Sequence, residues 1–428
     1  MNNDKSFYTI KAENRQFEEA QAFISEVYRL HFRGRLPSAL CGLKKIQIAG
    51  TNGKGSTAAM LSSILCHAGL KTGLYTSPSL ICVNERICLN GAMISDDDLC
   101  TYIPVITEAQ ENIGRKFGGF ERITAAAMLY YLDNNVDIAV METGLGGRYD
   151  TVSAVGELIL ASVTSIGMDH MVMLGNTIEQ IAWEKCGIMR PNIPTVIHTQ
   201  DRAAYNVIEK CAVENSSRLA DVSDCEILHD APTQNGRQMI IRAQGEEYCV
   251  NIPLRGAYQR ENACNALMCA LELRNMGYNI SKSAIEAGFA EVRWDGRLQR
   301  VHADNIRSDI ILDGAHNPHA MKAVADCITS VSGNKKYVIL LSVMADKDID
   351  GILEQAARFS DRAICVSTIE RSCNSEILAE KARSHGIAAE AADNIEDGLK
   401  KANMLANGDD IYALGSLYLV GRVLSIVK

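Results

Sequence analysis

Short apolar runs alternate with helix-like periodicity along most of this chain. In the first half, four apolar runs predict buried strands at residues 45–49, 71–77, 136–142 and 158–165. Amphipathic stretches separate these runs, and parallel strands joined by helices produce such an alternation. The pattern therefore predicts an α/β domain with a mostly parallel sheet.

Helix-start signals support this assignment at three places. A glycine-rich turn at 50–55 follows the first strand, and apolar residues at helical spacing predict a helix from about Ser56. Ser95 precedes three aspartates, as an N-cap with acids in the first turn does, and predicts another helix. Thr177 and Gln180 have the spacing of a capping box and predict a third.

A different pattern occupies residues 224–254. Asn235-Gly236, a dipeptide favoured in tight hairpin turns, stands between two β-like stretches, and a third β-like stretch follows. We expect a small antiparallel annex to the first domain. Helices predicted from about Glu261 and at 281–290 complete that domain.

A second series of strands and helices follows. Its strands are predicted at 309–312, 337–343, 363–367 and 410–414, with helices between them. Polar residues and a glycine at 294–299 interrupt both patterns and predict a linker. We therefore expect an N-terminal domain at 1–296 and a smaller Rossmann-like C-terminal α/β domain at 297–428.

Composition removes several functional classes. The 428 residues include 43 Lys+Arg against 52 Asp+Glu, a net charge of −9, with no basic run, so nucleic acid is not an expected partner. No apolar run is long enough to span a membrane, and the polar start lacks a signal-peptide core, so we expect a cytoplasmic protein without membrane association. The 14 cysteines include no C-x-x-C pair, which argues against a zinc ribbon or a thioredoxin-type site.

The segment from Gly50 to Thr57, GTNGKGST, gives the strongest chemical signal. Backbone N–H groups of a loop between strand and helix bind phosphate, and Lys54 adds a positive charge. The loop differs from a Walker A motif, because Ile48 occupies its first glycine position and Gly55 follows the lysine. A nucleotide site is the favoured interpretation, and a glycine turn without phosphate is the alternative.

Glu142 ends a predicted buried strand and precedes the segment TGLGGR. In a nucleotide-binding α/β domain, a carboxylate at this end of a strand is placed to bind Mg²⁺. A dinucleotide fingerprint is excluded, since G-x-G-G-R lacks the third glycine and no helix follows directly. A structural acid that caps the next turn is the alternative.

Three histidines and one lysine are further candidates. His170, in IGMDH, lies beyond the edge of the same predicted sheet, which favours a metal ligand over a structural histidine. His316 and His319 are not expected to form a metal pair, because Pro318 stands between them and no third ligand is evident. Lys185, in EKCGI, would by itself be assigned to the surface.

As an ordered set, these motifs resemble the Mur ligase superfamily, and within it the folylpolyglutamate synthase/dihydrofolate synthase family. The resemblance covers nearly the whole chain. It rests on GTNGKGS at 50–56, TSP at 76–78, NERI at 84–87, FERITAAA at 120–127, ETGLGGR at 142–148, IGMDH at 166–170, EKCGI at 184–188, YQRENACNA at 258–266, WDGRLQ at 294–299, DGAHNP at 313–318, DKD at 346–348 and GSLYLVG at 415–421. It implies a P-loop-type ATPase domain followed by a glutamate-ligase domain.

The resemblance implies an ATP-dependent amide ligase that adds L-glutamate to a folate or pteroate carboxylate through an acyl phosphate. It also implies a monomer that uses two Mg²⁺ ions. The implied ATP-binding residues are Thr51, Asn52, Gly53, Lys54, Gly55, Ser56, Thr57, Asn262, Arg297 and Asp313. The implied magnesium ligands are Ser77, Glu142, His170 and Lys185, the last carrying a carbamate.

Fewer residues match the family pattern at the sites for the acceptor and for glutamate. The resemblance implies that Phe120, Glu121 and Thr124 face the pterin, and that His316 and Ser416 face the glutamate. The implied catalytic residues are Lys54, Lys185 and His316, of which His316 is only a candidate for the general base.

Two departures from the family pattern stand out. Ser79 replaces the usual histidine of S-P-H-L, which removes any pterin contact made by that side chain. Cys186 and Arg190 replace the more usual alanine and lysine near the carbamylated lysine, and we expect both to be tolerated.

A carbamate on Lys185 has a physical rationale. An unperturbed lysine, with a pKa of about 10.4, is cationic at pH 7 and repels Mg²⁺. Reaction of the neutral amine with CO₂ changes its charge from +1 to −1 and supplies an oxygen ligand. Without it the implied protein ligands offer one formal negative charge, on Glu142, because Ser77 and His170 are neutral.

Two other functions are considered. A peptidoglycan Mur ligase normally carries an additional N-terminal domain for a UDP-sugar, and a phosphate loop that begins near residue 50 leaves no room for one. A nucleotide-binding regulator without ligase activity does not need Lys185. The sequence leaves open whether the acceptor is dihydropteroate, a reduced folate or both.

Overall fold

The computed structural model describes residues 4–32, 42–198, 200–304 and 306–427, with side chains from residue 16 onward. The described residues form two α/β units, each built around its own sheet, and a small separate antiparallel sheet. None of the helices within these ranges is long and apolar enough to cross a membrane.

The first sheet has eight strands in the order β4-β3-β2-β5-β1-β6-β7-β8. The strands β1 to β8 are Lys44–Ala49, Thr72–Tyr75, Ile87–Leu89, Ala92–Met93, Ile138–Glu142, Glu157–Val163, Thr195–Ile197 and Leu219–Asp221. Six neighbouring strands are parallel to one another, namely β2, β5, β1, β6, β7 and β8. The strands β3 and β4 pair in antiparallel fashion at one edge of the sheet. The predicted mostly parallel sheet is confirmed, although the short strands β3, β4, β7 and β8 were not predicted.

Nine helices of the described residues surround this sheet. The helices α1 to α9 are Asp4–His31, Lys54–His67, Asp96–Ile113, Gly119–Asp133, Met171–Leu174, Ile178–Cys186, Arg202–Glu214, Gln259–Asn275 and Lys282–Glu291. The phosphate-loop helix α2 begins two residues before the predicted Ser56. The predicted N-cap at Ser95 is confirmed, since its Oγ accepts a hydrogen bond from the Asp98 N–H over 3.0 Å.

The predicted capping box at the start of α6 forms only in part. Thr177 Oγ1 accepts a hydrogen bond from the Gln180 N–H over 3.3 Å. The Gln180 carboxamide oxygen, however, accepts from the N–H of Asn176 over 2.8 Å and not from Thr177. The reciprocal bond has moved one residue towards the N-terminus.

The predicted antiparallel annex is confirmed as a three-stranded sheet. Its strands are β9 (Glu226–Thr233), β10 (Gly236–Ala243) and β11 (Glu246–Ile252), in the order β11-β10-β9. Buried Met239 and Tyr248 of this sheet share a core with Leu61 of α2, Leu267 of α8 and Phe289 of α9. This packing fixes the back of the phosphate-loop helix.

The second sheet has six strands in the order β12-β13-β17-β14-β15-β16. The strands β12 to β17 are Gln299–Val301, Ile310–Leu312, Tyr337–Leu341, Ser360–Cys365, Ala388–Ala391 and Ile411–Leu414, and the helices α10 to α14 are Pro318–Ser332, Ile349–Ala356, Ser375–Ser384, Ile395–Ala406 and Leu417–Val427. All pairs are parallel except β12–β13. The predicted Rossmann-like unit is present, and the end of the predicted linker is itself the edge strand β12.

Candidate active site

A cavity of about 500 Å³ opens at the carboxyl ends of β1, β2, β5 and β6 and extends to the segment after β13. Ligand sites of α/β folds form at such an edge. Most of the predicted site residues line it: Thr51, Asn52, Gly53, Lys54, Gly55, Ser56, Ser77, Glu142, His170, Lys185, Asn262, Arg297, Asp313 and His316. Residues separated by more than 200 positions therefore share one cleft.

Contacts with the segment after β6 hold the phosphate loop. The Thr51 N–H donates to the Ser165 carbonyl over 2.8 Å, and Thr51 Oγ1 lies 3.0 Å from the Gly167 carbonyl oxygen. Gly53 has a φ of 87°, and any side chain there would overlap the Asn262 carboxamide. Glycine is therefore required at this point, immediately before the N-terminus of α2 and its unpaired N–H groups.

Lys54 and Glu142 face each other across the cavity. Lys54 Nζ donates to the Thr51 carbonyl over 3.1 Å and lies 4.0 Å from Glu142 Oε1. Glu142 Oε2 accepts the Ser77 N–H over 3.1 Å, which brings Ser77 beside the carboxylate. Burial raises the pKa of Glu142, and Lys54 offsets part of that rise.

Lys185 is buried, contrary to the surface position that its sequence context alone suggested. Its Nζ donates a hydrogen bond to the Gly50 carbonyl over 2.7 Å. Burial, and next the nearby positive charge of Lys54, lowers the pKa of Lys185 to about 7. A substantial fraction of the amine is therefore neutral, and hence nucleophilic, near pH 7.

The glycine-rich segment after β5 fixes the end of the helix that carries Lys185. The Arg148 N–H donates to the Glu184 carbonyl over 2.9 Å, and Arg148 Nη2 donates to the Trp183 carbonyl over 3.1 Å. The guanidinium also lies 3.7 Å from the Trp183 ring centroid. A Cβ at Gly147 would lie 2.8 Å from the Lys185 carbonyl oxygen, so the segment and the helix are in direct contact.

His316 enters the cavity from the second unit. Its Nδ1 lies 2.8 Å from the Gly314 carbonyl oxygen, so Nδ1–H donates there and Nε2 is the unprotonated nitrogen of the neutral ring. Burial, and then the positive charge of Lys347, lowers the pKa of His316 to about 4. A neutral imidazole with a free Nε2 lone pair can accept a proton.

An ion pair that the sequence did not predict crosses the cleft. Lys347 Nζ lies 2.7 Å from Asp169 Oδ1, and both side chains are more than nine-tenths buried. Asn317 Nδ2 donates to Asp169 Oδ2 over 2.9 Å. Burial alone would raise the pKa of Asp169, but the neighbouring His170, Lys347 and His316 outweigh it and hold this pKa well below its usual range. Lys347 Nζ also lies 3.4 Å from His170 Nε2.

Asp313 joins the two units. Its Oδ2 accepts hydrogen bonds from the Tyr258 hydroxyl over 2.8 Å and from the Leu298 N–H over 3.0 Å. Burial raises the pKa of Asp313, and the adjacent Arg297 lowers it in part. The carboxylate thus connects the turn before α8, the expected linker and the end of β13.

The three residues expected on the pterin side do not line this cavity. Thr124 is fully buried and its Oγ1 lies 2.8 Å from the Tyr75 hydroxyl. Phe120 packs against Gly144, where a Cβ would lie 2.5 Å from the ring, and Glu121 follows it at the start of α4. Of the three, Phe120 is in contact with the glycine-rich segment.

Two further predicted residues are also outside the cavity lining. Ser416 is buried, and its Oγ accepts a hydrogen bond from the Tyr418 N–H over 3.1 Å. Thr57 is fully buried, and its hydroxyl has no hydrogen-bond partner among the described residues.

Sequence reasoning missed the partners of the predicted residues. Asp169 and Lys347 both belong to quoted motifs, but neither their pairing nor their burial could be inferred from position alone. As expected, no helix joins His316 and His319: α10 begins at Pro318, with Asn317 as its N-cap, so His316 lies before the helix.

The donor set is compatible with Mg²⁺. No group of three His, Cys, Asp or Glu side chains capable of holding a metal occurs within the described ranges. Mg²⁺ in nucleotide sites does not require one, because one or two carboxylates, phosphate oxygens and water complete its shell. The Glu142 carboxylate and the adjacent Ser77 supply hard oxygen donors beside the phosphate loop, whereas His170 is directed towards Lys347.

Two family models match most of this chain. The Mur ligase middle domain matches residues 48–270, and the Mur ligase glutamate ligase domain matches residues 296–417. A dihydrofolate synthase/folylpolyglutamate synthase of Bacillus subtilis (strain 168) is 35% identical over 324 residues, which are 73% of this chain and 74% of the relative.

Solved structures share the fold. A Mycobacterium tuberculosis folylpolyglutamate synthase complexed with ADP and AMPPCP has a TM-score of 0.86 and 28% identity, with 98% of each chain covered. A Yersinia pestis bifunctional folylpolyglutamate synthase/dihydrofolate synthase complexed with AMPPNP and a Mn ion has a TM-score of 0.78 and 27% identity, with 95% of this chain and 92% of that one covered.

Proposed function

Because the chain belongs to the dihydrofolate synthase/folylpolyglutamate synthase family of Mur ligases and is an ATP-dependent glutamate ligase, we propose that it glutamylates both dihydropteroate and reduced folates. The Bacillus subtilis relative, which is named for both activities, supports this choice of acceptors. One structural observation carries the proposal: a single cleft brings together a phosphate loop, a buried carboxylate, a buried lysine and a neutral histidine from the second unit.

ATP would bind with its phosphates on the loop from Thr51 to Thr57. The free N–H groups at the start of α2 offer donors to phosphate oxygens, and Lys54 Nζ neutralises charge on the transferred group. Asn262, Arg297 and Asp313 would surround the rest of the nucleotide. The Asp313 oxygens are already bonded to protein groups, so we expect it to act mainly by holding the two units together.

Divalent metal would bind beside the phosphates, held by Glu142 and Ser77 with His170 as a further ligand. When bound, Mg²⁺ would neutralise phosphate charge and polarise the phosphoryl group. In the described arrangement, Lys347 Nζ lies close to the ring nitrogen of His170. Use of that nitrogen as a ligand therefore requires Lys347 to move aside.

Lys185 would carry a carbamate. Its burial supports this role, because a pKa of about 7 gives a much larger neutral fraction than the usual lysine value near 10.5 does. The neutral amine attacks CO₂ and loses a proton, which turns a buried positive charge into a negative one. The contact between Gly147 and Lys185 would keep the modified side chain directed into the cleft.

The proposed reaction has two steps. A carboxylate oxygen of the acceptor forms a bond to the γ-phosphorus while the bond to the β-phosphate oxygen breaks, giving an acyl phosphate and ADP. The amine of L-glutamate then attacks the acyl carbon, phosphate leaves, and the amine loses a proton. His316 Nε2 is the candidate acceptor for that proton, since its partner Nδ1 is bonded to Gly314.

The remaining assignments are proposals of the same kind. Phe120, Glu121 and Thr124 would shape the pterin side through the glycine-rich segment, against which Phe120 packs. His316 and Ser416 would serve the glutamate side. A monomeric state, a cytoplasmic location and domains at 1–296 and 297–428 remain predictions from the sequence.

Mass spectrometry of the products tests the proposal. Purified protein receives ATP, Mg²⁺ and L-glutamate, with dihydropteroate or tetrahydrofolate in separate reactions. We expect a mass gain of one glutamyl unit on both acceptors. A gain on one acceptor only would refute the dual specificity, and ATP turnover that needs neither acceptor nor glutamate would favour a nucleotide-binding regulator.

A further inference from the structure

A second and larger cavity lies behind the phosphate-loop helix. Its volume is about 960 Å³, within the range of small-molecule sites. One wall is the outer face of α2, a second is the turn after β11, and a third is the segment 290–300 that leads into the second unit. No residue assigned to ATP, metal or acceptor binding lines it except Arg297.

Positive charge predominates in this cavity. The ionised residues of its lining are Arg255, Arg293, Arg297 and Arg300 against Glu291 and Asp295. The whole chain, by contrast, has a net charge of −9. A cleft whose charge opposes that of the molecule concentrates anions from solution.

Two of the four arginines are available to a ligand. Arg300 is bound by two carboxylates, Asp309 and Asp410, the latter with Nη2–Oδ2 at 2.7 Å. Arg255, which donates to the Gln234 carbonyl, and Arg293 have no ion-pair partner among the described residues. Burial, and next the nearby Arg300, lowers the pKa of Arg255, while Asp410, Tyr412 and Asp309 offset part of this effect.

The acids of the lining are engaged elsewhere. Glu291 Oε2 lies 3.2 Å from His67 Nε2, and Asp295 Oδ1 accepts a hydrogen bond from Gln299 Nε2 over 2.8 Å. The guanidinium groups of Arg255 and Arg293, which have no ion-pair partner within the described ranges, therefore line a space whose carboxylates already have partners. Guanidinium groups bind both carboxylates and phosphates in bidentate geometry, so an anion of this kind suits the two arginines.

The cavity also has an apolar wall, which favours an organic ligand over a simple ion. Its apolar lining includes Ala59, Leu74, Leu254, Val292 and Leu298. Carbon atoms of a ligand could pack against these side chains while its carboxylates reached the arginines.

The cavity shares structure with the active site. Arg297 lines both cavities. Trp294 lines the second cavity and packs against the phosphate loop, since a Cβ on Gly55 would lie 2.6 Å from its ring. A ligand in the second cavity would therefore touch two side chains that also contact the nucleotide site.

We propose that this cavity is a second small-molecule site, specific for an organic polycarboxylate bound by Arg255 and Arg293.

Tryptophan fluorescence tests the proposal without reference to activity. The chain has two tryptophans, Trp183 and Trp294, so W183F leaves a single reporter in the cavity wall. This variant is titrated, in metal-free buffer, with citrate as the polycarboxylate, with inorganic phosphate, and with chloride at matched ionic strength. We expect a saturable change with citrate that is complete below ~10 mM, and binding of phosphate at least about tenfold weaker.

Substitutions in the W183F background test which residues bind citrate. The double variant R255Q/R293Q should weaken citrate binding about tenfold or more, and so should the single variant R293Q, which changes an exposed residue. R202Q, at an exposed arginine of α7, serves as the matched control and should bind like its parent. Absence of saturation, equal affinity for phosphate, or undiminished binding by the arginine variants would overturn the proposal.

Discussion

Burial makes Lys185 chemically different from an exposed lysine. At a pKa of about 7 its amine is about half neutral at neutral pH, whereas an ordinary lysine is almost wholly protonated. The sequence motif indicated the residue only through a family resemblance. The structure adds a physical reason, because a neutral amine is the form that reacts with CO₂.

We expect Lys185→Ala to lower ligase activity at least ~100-fold, because the cleft would lose the negative oxygen donor that the proposed carbamate supplies. Lys210→Ala, at an exposed lysine of α7, is the control and should retain full activity. The assay also compares CO₂-depleted buffer with buffer restored by bicarbonate. Wild type should lose and regain activity, and a Lys185→Ala enzyme that stayed active would exclude the carbamate role.

Glu142 should show a conflict between stability and function. Because burial raises the pKa of this carboxyl group, its ionised form is a cost to the folded state at pH 7. Glu142→Gln should therefore keep or raise the melting temperature while it lowers kcat about 100-fold and raises the Mg²⁺ requirement. Parallel loss of stability and activity would instead indicate a structural acid.

His316 should contribute to the pH dependence of stability. Its pKa of about 4 in the folded state lies below its usual value of 6.5, so folding favours the neutral ring. That contribution is present above pH 6.5 and is lost as the pH falls from about 6.5 to about 4. About a third of the side chain is exposed, so we expect only about 1 kcal/mol.

Urea denaturation at several pH values measures this contribution. The stability of His316→Asn should fall less steeply below pH 6.5 than that of wild type. His229→Asn, at an exposed histidine of β9, should follow the wild-type curve. An unchanged slope in His316→Asn would show that another group is responsible.

At the scale of single residues, the sequence predicted which side chains lie in the cleft better than it predicted which side chains they contact. Lys54, Glu142 and His170 follow buried strands, and the ends of parallel strands meet at one edge, so their convergence could be inferred. The Asp169–Lys347 pair joins residues 178 positions apart. Its existence depends on how the two units pack, which local patterns do not contain.

At the scale of elements, the helix α6 depends on a neighbouring segment for its position. Gly147 touches its last turn closely enough that a Cβ would lie 2.8 Å from both the Lys185 carbonyl oxygen and Ile188. The segment TGLGGR is thus a packing surface as well as a glycine-rich turn. This explains the glycine at 147 without any nucleotide contact.

Gly147→Ala should displace the end of α6 and cost about 1–3 kcal/mol of unfolding free energy, together with a loss of activity. Gly119→Ala is the matched control, since no atom lies within 4 Å of a Cβ there and its backbone does not require glycine. Urea titration and the ligase assay measure both effects. If the two variants were equally stable and active, the contact would not position Lys185.

Element boundaries were predictable where the signal was local. The Ser95 N-cap and the Asn235-Gly236 hairpin depend on short-range hydrogen bonds, and both occur as expected. The strands β3, β4, β7, β8, β12 and β16 have only two to four residues each and were missed, whereas the equally short but continuously apolar β13 and β17 were predicted. Such short strands are stabilised by pairing with neighbours rather than by their own pattern.

At the scale of the molecule, the Asp169–Lys347 pair couples the two units. Both side chains are almost fully buried, and breaking such a pair leaves an uncompensated charge. We expect Lys347→Met to cost about 3–5 kcal/mol of unfolding free energy, and Asp169→Asn to cost a similar amount.

A double-mutant cycle separates pairing from other effects. The double variant should be less destabilised than the sum of the two single variants, by about 1–3 kcal/mol. Lys322→Met, at an exposed lysine paired with Asp326 on α10, is a surface control with little expected effect. Simple additivity of the two single variants would show that the pair does not couple the units.

Transfer of ¹⁸O tests the central claim most directly, because it follows the bonds of the proposed reaction. Dihydropteroate with both carboxylate oxygens labelled is incubated with ATP, Mg²⁺, L-glutamate and the enzyme. An acyl phosphate intermediate predicts one ¹⁸O in each phosphate released and one glutamyl unit added to the acceptor. Unlabelled phosphate beside a glutamylated product would contradict the acyl phosphate, and phosphate released without a glutamylated product would contradict glutamate ligation to this acceptor.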